Sequence, residues 1–414
     1  MHHFHYIDGD LSCEQVPVAR IAEAVGTPFY LYSRATLEHH FRVFDQAFAS
    51  LPHVTAFAVK ACSNLAVLAL LGRLGAGADI VSGGELFRAR KAGIPAGRIV
   101  FSGVGKTTAE IAQALKEGIY AFQVESHPEL LLINRVAGEL GTTARVALRV
   151  NPDVDPKTHP YIATGLKESK FGFPVAGVEK VFAEADALPH IRVAGVHQHI
   201  GSQITQITPF VEAAERAAEL IGTLRARGIA IEYLNIGGGI GIPYDEQVPP
   251  TPAELAHAVL PILKGLDVTV LTEPGRGIAG NAGIFVTRVL RLKDTGDKTF
   301  VVVDGAMNDL MRPSLYNAFH AVRPVRQGDG PDIVADVVGP ICESGDFLAK
   351  GRPMQRPDSG DLLALMSAGA YGFSMSSTYN SRPRVAEVLV DGDTFQVIRA
   401  RETYEDLIRG EHIP

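Results

Sequence analysis

One pattern limits the fold of this chain more than any other. Strand-like runs recur eight times, and segments of helical periodicity lie between them. The runs stand at 55–60 (TAFAVK), 78–82 (ADIVS), 98–102 (RIVFS), 121–125 (AFQVE), 145–150 (RVALRV), 193–200 (VAGVHQHI), 233–237 (YLNIG) and 268–273 (VTVLTE). Between them, Leu65–Leu71 is helical in period, Glu85–Gly93 ends on a C-cap glycine, and Pro209–Gly228 closes on Gly228. Eight β–α units predict an α/β fold of the (β/α)8 type, a TIM-type barrel; a doubly wound sheet is the alternative. After residue 280 the rhythm changes. Runs at 285–290, 299–303, 362–366, 385–390 and 395–398 read as strands, with Asp391-Gly392-Asp393 as a hairpin turn. The tail is therefore expected to form a β-rich domain, barrel-like or sandwich-like, that also takes in the N-terminal strand FYLY (29–32). The boundaries are set at 27–279 for the barrel, and at 1–26 with 280–414 for the β-rich domain.

Composition narrows the class of partner. With 414 residues, 46% of them hydrophobic and 21% charged, the chain can bury a large core. A formal net charge of −7 argues against a nucleic-acid surface. No apolar run approaches the roughly 20 residues of a membrane helix. Cys13, Cys62 and Cys342 are few and far apart, which fits a reducing, cytoplasmic setting rather than a disulfide framework. The opening MHHFHYIDGD has no secretory pattern, and its histidines have no further ligands nearby for a metal.

In a barrel of this kind the chemistry sits at the C-terminal ends of the strands. Polar residues gather there: Lys60, Asp79, Ser82, Ser102, Glu125, Arg149, Asn151, His197, His199, Ser202, Gly237-Gly238-Gly239, Glu273 and Arg276. Any one of them is ordinary at a strand end that meets water; the whole set is not. Lys60 is either a solvated strand-end charge or an amine that condenses with an aldehyde once desolvation lowers its pKa. The GGGIG run after a strand is a flexible turn or a cradle of backbone N–H groups for a phosphate. It lacks both the dinucleotide fingerprint and the Gly-Lys-Ser/Thr ending of a P-loop. His197-Gln198-His199 alternates on its strand, so both rings are expected on one face, the spacing of some metal sites; no further strand-tip histidine completes such a site, and no metal is expected. Glu273-Pro274-Gly275-Arg276 is a capped turn, or a carboxylate for a pyridinium nitrogen beside an arginine for an anion.

Taken together, FAVKACSN, ADIVSGGEL, ALRVNPDVDPKTHPYIATGLKESKFGF, GVHQHIGSQI, NIGGGIGI, TEPGRGI, MRPSLYNAFH, GPICESGDFLAK and SAGAYGFSMSSTYNSRPR span nearly the whole chain. In these stretches the chain resembles the diaminopimelate decarboxylases, members of the fold type III pyridoxal-phosphate decarboxylases. The resemblance implies a carboxy-lyase that converts meso-2,6-diaminopimelate to L-lysine and CO2, the last step of lysine biosynthesis. It implies pyridoxal 5'-phosphate carried on Lys60, with His199 stacked on its ring and Glu273 on the ring nitrogen. Ser202 and Gly237, Gly238 and Gly239 would bind the phosphate, with Gly275, Arg276 and Tyr371 close by, and Asp79 and Arg149 would line the pocket. Arg276, Arg312 and Tyr316 would hold the distal carboxylate. Cys342, a candidate proton donor, and Glu343, partner of the distal amino group, would come from the second subunit of a homodimer with shared active sites. Cys62 and Gln198 depart from the family's usual Asn and Cys.

The alternatives are a sister decarboxylase of ornithine, arginine or carboxynorspermidine, a non-catalytic cofactor carrier, and a metal-dependent barrel hydrolase. Arg312, Tyr316 and the CESGD stretch disfavour the first two. Residues 157–170 and 202–208 have the composition of lid loops.

Overall fold

The computed structural model describes residues 2–155 and 170–414. The chain divides into two compact units, His40–Ile242 with Val248–Gly277, and Met1–His39 with Pro243–Gln247 and Ile278–Pro414.

The first unit is the barrel. Its strands are β1 (His53–Ala58), β2 (Gly77–Ile80), β3 (Ile99–Phe101), β4 (Ala121–Val124), β5 (Ala144–Asn151), β6 (Ile191–His197), β7 (Tyr233–Asn235) and β8 (Thr269–Thr272). Each pairs in parallel with the next, β8 pairs with β1, and the ring is closed. Strands covered on both faces read as unbroken apolar runs, which is why the eightfold rhythm is visible in the sequence. The interior is filled by Ala56, Val100, Ala121, Ala147, Ala194, Leu271 and the ring of Tyr233. Those alanines make room for the tyrosine. So does Gly195, where a Cβ would lie 2.7 Å from the Tyr233 ring. Beneath, the Arg145 guanidinium stands 4.0 Å from the Tyr120 ring and 4.9 Å from that of Tyr233, and pairs with Glu232 at 3.0 Å. The barrel is thus a packed core and not a pore.

Helices begin just past the strand ends because polar side chains satisfy their first N–H groups. Asn64 accepts from Ala66 N at 2.9 Å and Ser82 from Glu85 N at 3.2 Å. Thr107 with Glu110, and Thr251 with Glu254, form reciprocal capping boxes.

The second unit is β-rich. Its main sheet runs Phe347–Gln355, Asp332–Val338, Thr299–Val303, Gly283–Asp294, Phe29–Ser33, Ala386–Asp391, Thr394–Arg399. The FYLY strand lies in its middle, antiparallel to Gly283–Asp294 and parallel to Ala386–Asp391. Gly392-Asp393 makes the two-residue turn of the last hairpin, with Gly392 at φ +62°. A three-stranded N-terminal sheet, Phe4–Ile7, Asp10–Cys13 and Val16–Pro17, packs Phe4, Leu11, Cys13 and Val16 onto the same core as Phe29, Leu31, Ile284 and Val388.

Candidate active site

β1 stops at Ala58, two residues earlier than its composition predicts, and Lys60 sits on a single 3-10 turn, Val59–Ala61. Its Nζ donates to Asp79 Oδ2 at 2.8 Å. Asp79 is fully buried in β2; burial and the nearby charge of Glu273 raise its pKa, while Lys60 opposes the rise. Glu85, on the following helix, is pushed up to about 7, chiefly by burial.

Glu273 lies just beyond β8 and is buried. Its Oε1 accepts from Asn235 Nδ2 at 2.6 Å and stands 3.5 Å from His197 Nε2. Burial alone would favour its neutral form, but His197 and Lys60 outweigh it, and the carboxyl is held well below the usual range. It is therefore a carboxylate at neutral pH.

The two histidines do not share a strand face. β6 ends at His197, and His199 lies beyond it, where the alternation of a strand no longer applies. His199 Nδ1 accepts from Gly238 N at 3.1 Å, and its carbonyl accepts from Arg149 Nη2 at 3.3 Å. Desolvation, with Arg149 and Lys60 nearby, keeps its pKa well below the ordinary value, so the ring is neutral. Among the described residues no group of three or more His, Cys, Asp or Glu is arranged to hold a metal.

The glycine run forms a tight cradle. Gly237 and Gly239 have φ of +69° and +112°. A Cβ on Gly238 would fall 2.1 Å from the Glu273 carbonyl oxygen. Asn235 Oδ1 accepts from Gly237 N at 2.9 Å, so one side chain ties the cradle to Glu273. Ile204 bridges to Ile240, with Ile204 N donating to Gly239 O at 2.9 Å and Gly241 N to Ile204 O at 3.0 Å. This zipper pins Ser202 alongside the glycines and fixes the first part of the 202–208 segment. The other lid candidate, 157–170, lies outside the described residues apart from Lys170. Arg276, buried, donates to Ser202 Oγ through Nη2 at 3.0 Å. Gly275 lets this turn pass close to Ala58 and Ala61, where a Cβ would meet theirs at 3.1 and 2.9 Å.

Arg149 is held by a residue whose role the sequence did not assign. Its Nη1 donates to Glu125 Oε1 at 2.8 Å, and both side chains are buried. Glu125 also accepts from Gly103 N and Gly172 N at 3.2 and 3.0 Å. Its own N–H donates to Glu129 Oε2 at 2.8 Å, and Glu129 Oε1 takes the fully buried Lys106 ammonium at 2.6 Å.

The β-rich unit carries the other expected site residues. Arg312 and Tyr316 open and close a short helix, with Arg312 buried. The guanidinium stands 5.3 Å from the Tyr244 ring and 6.0 Å from that of Tyr316. Cys342 and Glu343 are exposed on a turn anchored by Asp346, which accepts from Met307 N and Ile341 N at 2.7 Å each. Tyr371 has φ +56°. Glu125 stood among the strand-tip polar residues with no role given to it, and Asn235, Tyr244 and His320 were not among the expected site residues. Position was their only signal: Asn235 directly precedes the IGGG stretch, and His320 ends the MRPSLYNAFH stretch.

Residues 34–280 match the pyridoxal binding domain of the pyridoxal-dependent decarboxylases. Over 410 residues the chain is 52% identical to a diaminopimelate decarboxylase of Pseudomonas aeruginosa, covering 99% of each chain. The chain belongs to the diaminopimelate decarboxylase family. The Vibrio cholerae diaminopimelate decarboxylase is 51% identical over 98% of each chain. Two solved family structures superpose closely. That of the Helicobacter pylori diaminopimelate decarboxylase complexed with L-lysine has a TM-score of 0.92 and 43% identity, covering 95% of this chain and 98% of that one. That of the M. jannaschii diaminopimelate decarboxylase, also with L-lysine, has a TM-score of 0.95 and 38% identity over 100% and 99%. The family's pyridoxal binding domain spans every barrel residue described above.

Proposed function

We propose that this chain decarboxylates meso-2,6-diaminopimelate at its D-configured carbon, giving CO2 and L-lysine, with pyridoxal 5'-phosphate as cofactor. The observation that carries this is one barrel mouth holding an amine on a buried carboxylate, Lys60 on Asp79, together with a second buried carboxylate kept ionised, Glu273. The L-lysine complexes of the H. pylori and M. jannaschii relatives support the substrate assignment.

The residues fit the cofactor. The cradle at Gly237, Gly238 and Gly239 tolerates no side chain at its centre; the N–H groups of Gly237 and Gly238 are taken by Asn235 and His199, so the Gly239 end of the run, Ser202 and Arg276 supply the N–H, O–H and guanidinium donors suited to a phosphate. Lys60 is the amine for the aldehyde carbon. The ionised Glu273 would keep the ring nitrogen protonated, and neutral His199 would lie against the ring. Asp79, Arg149, Gly275 and Tyr371 would complete the pocket. Bound pyridoxal phosphate supplies the electron sink for the bond that loses CO2. Arg276, Arg312 and Tyr316 would hold the distal carboxylate, Glu343 the distal ammonium, and Cys342 would deliver a proton to the reacting carbon. Exposure of Cys342 and Glu343 in the single chain supports their service in the partner's site of a homodimer. The three cysteines, which form no disulfide, support a cytoplasmic location, and among the described residues no helix is long and apolar enough to cross a membrane.

The test is direct. The cofactor-loaded protein is given meso-diaminopimelate, ornithine or arginine in parallel. Lysine from the first and no diamine from the others is expected. Cofactor absorbance without lysine would leave the fold and overturn the substrate. Lys60→Ala should lose both turnover and the bound-cofactor absorbance.

A further inference from the structure

Arg312 Nε donates to His320 Nε2 at 3.3 Å, and His320 Nδ1 stands 2.8 Å from the carbonyl oxygen of Met366. A guanidinium N–H only donates and a carbonyl oxygen only accepts. Both contacts are satisfied together only by a neutral imidazole with its proton on Nδ1 and a bare Nε2. His320 is fully buried, and the Tyr244 ring meets it edge-on at 5.4 Å and 87°. Met366 is itself fixed, since its N–H donates to Ala321 O at 2.9 Å beside the pairing of Val322–Pro324 with Leu362–Leu365. Sheet pairing is thus relayed through one imidazole to one guanidinium.

We propose that His320 is a positioning residue for substrate specificity. It fixes the rotation of Arg312 about its long side chain. With Nε committed to His320, the Nη1/Nη2 edge is the fork that meets the carboxylate remote from the reacting carbon. An arginine on a flexible stem would otherwise lose several rotamers each time it bound that group. The proposal rests on the assignment of Arg312 to the distal carboxylate.

The test separates the two. L-lysine and cadaverine, the same amine chain without the carboxylate, are titrated calorimetrically into the cofactor-loaded wild type and into His320→Asn, His320→Gln and Arg312→Lys. His320→Asn can keep a donor for Met366 but offers no acceptor to Arg312. It should bind lysine about tenfold more weakly, the scale of one lost hydrogen bond to a charged group, with cadaverine unchanged. Its KM for meso-diaminopimelate should rise by the same factor at constant kcat. His320→Gln, whose amide oxygen can reach the place of Nε2, should recover most of the lysine affinity. If Arg312→Lys loses lysine selectively while His320→Asn keeps the wild-type lysine-to-cadaverine ratio, the role of His320 is overturned. If both His320 variants lose both ligands alike, the residue is merely structural and the proposal is again overturned. If Arg312→Lys leaves the ratio unchanged, the assignment of Arg312 falls and His320 with it.

Discussion

Asn235 is the residue on which the barrel site turns, and a single-atom change tests this. Its amide donates to Glu273 Oε1 at 2.6 Å while its oxygen accepts from Gly237 N at 2.9 Å. Asn235→Asp keeps the shape and the acceptor but replaces the donor with a second carboxylate oxygen. Two full charges 2.6 Å apart would repel by about 6 kcal/mol at an effective dielectric of 20. Protonation is the easier way out. Glu273 is held ionised by His197 and Lys60, so the proton goes to the introduced carboxyl, which then donates as the amide did. An aspartate with a folded pKa above its unfolded value of about 3.9 binds a proton on folding. The variant's stability relative to wild type is therefore full below pH 4 and is lost as pH rises. At about 1.4 kcal/mol per pH unit, the deficit should be about 1.5 kcal/mol at pH 5 and about 4 kcal/mol at pH 7. Denaturant unfolding of wild type and variant at several pH values reads this slope. A deficit independent of pH, or no deficit at pH 7, would refute the claim that Asn235 is there to meet an ionised Glu273.

Three further outcomes are expected. Gly238→Ala would press a Cβ to 2.1 Å from backbone, forcing the cradle off Glu273; stability should fall by about 3 kcal/mol, with cofactor retention after dialysis reduced alongside. Lys106→Met would strand the buried Glu129 carboxylate, costing about 3–5 kcal/mol in unfolding experiments, and should weaken cofactor binding through Glu125 and Arg149. Glu343→Ala mixed with Lys60→Ala should regain part of the activity that neither has alone, since a hybrid dimer rebuilds one intact site; no recovery on mixing would argue against sites shared between subunits.

The barrel was legible because each buried parallel strand is an apolar run and each helix starts at a recognisable cap. The β-rich unit was only partly so. Gly283–Asp294, Thr299–Val303 and the last hairpin stand out, but Asp332–Val338 (DIVADVV) and Phe347–Gln355 (FLAKGRPMQ) do not. Asp332 and Asp336 interrupt the Val and Ile of the first, and Lys350-Gly351-Arg352-Pro353 breaks the pattern of the second. They are strands because they pair with each other through two shifts of register, and because Asp336 is satisfied by Lys298 at 2.6 Å and by Gly351 N at 2.7 Å. Propensity loses to pairing in Phe347–Gln355. The partners of FYLY lie some 250 residues and more away, a distance no local pattern records.

Within the candidate site, sequence singled out the groups proposed for the chemistry and gave little sign of the groups that hydrogen-bond to them. Lys60, Glu273 and the glycines stand out only as members of a set, since an ammonium, a carboxylate and a bare backbone are each ordinary at a single strand tip but not when gathered at the tips of one barrel. Asn235, Glu125 and His320 are not unusual as residue types. Each matters through the direction of its hydrogen bonds: Asn235 donating to Glu273, Glu125 accepting from Arg149, His320 accepting from Arg312. Such a direction depends on which two side chains face each other and on which tautomer or ionisation state each holds. Asn235→Asp makes the bond to Glu273 depend on a proton at nearly constant side-chain size, and His320→Asn removes the acceptor offered to Arg312, with His320→Gln as the control for lost volume. Each therefore separates aiming from packing, and a wild-type-like result in either would assign that residue to packing alone.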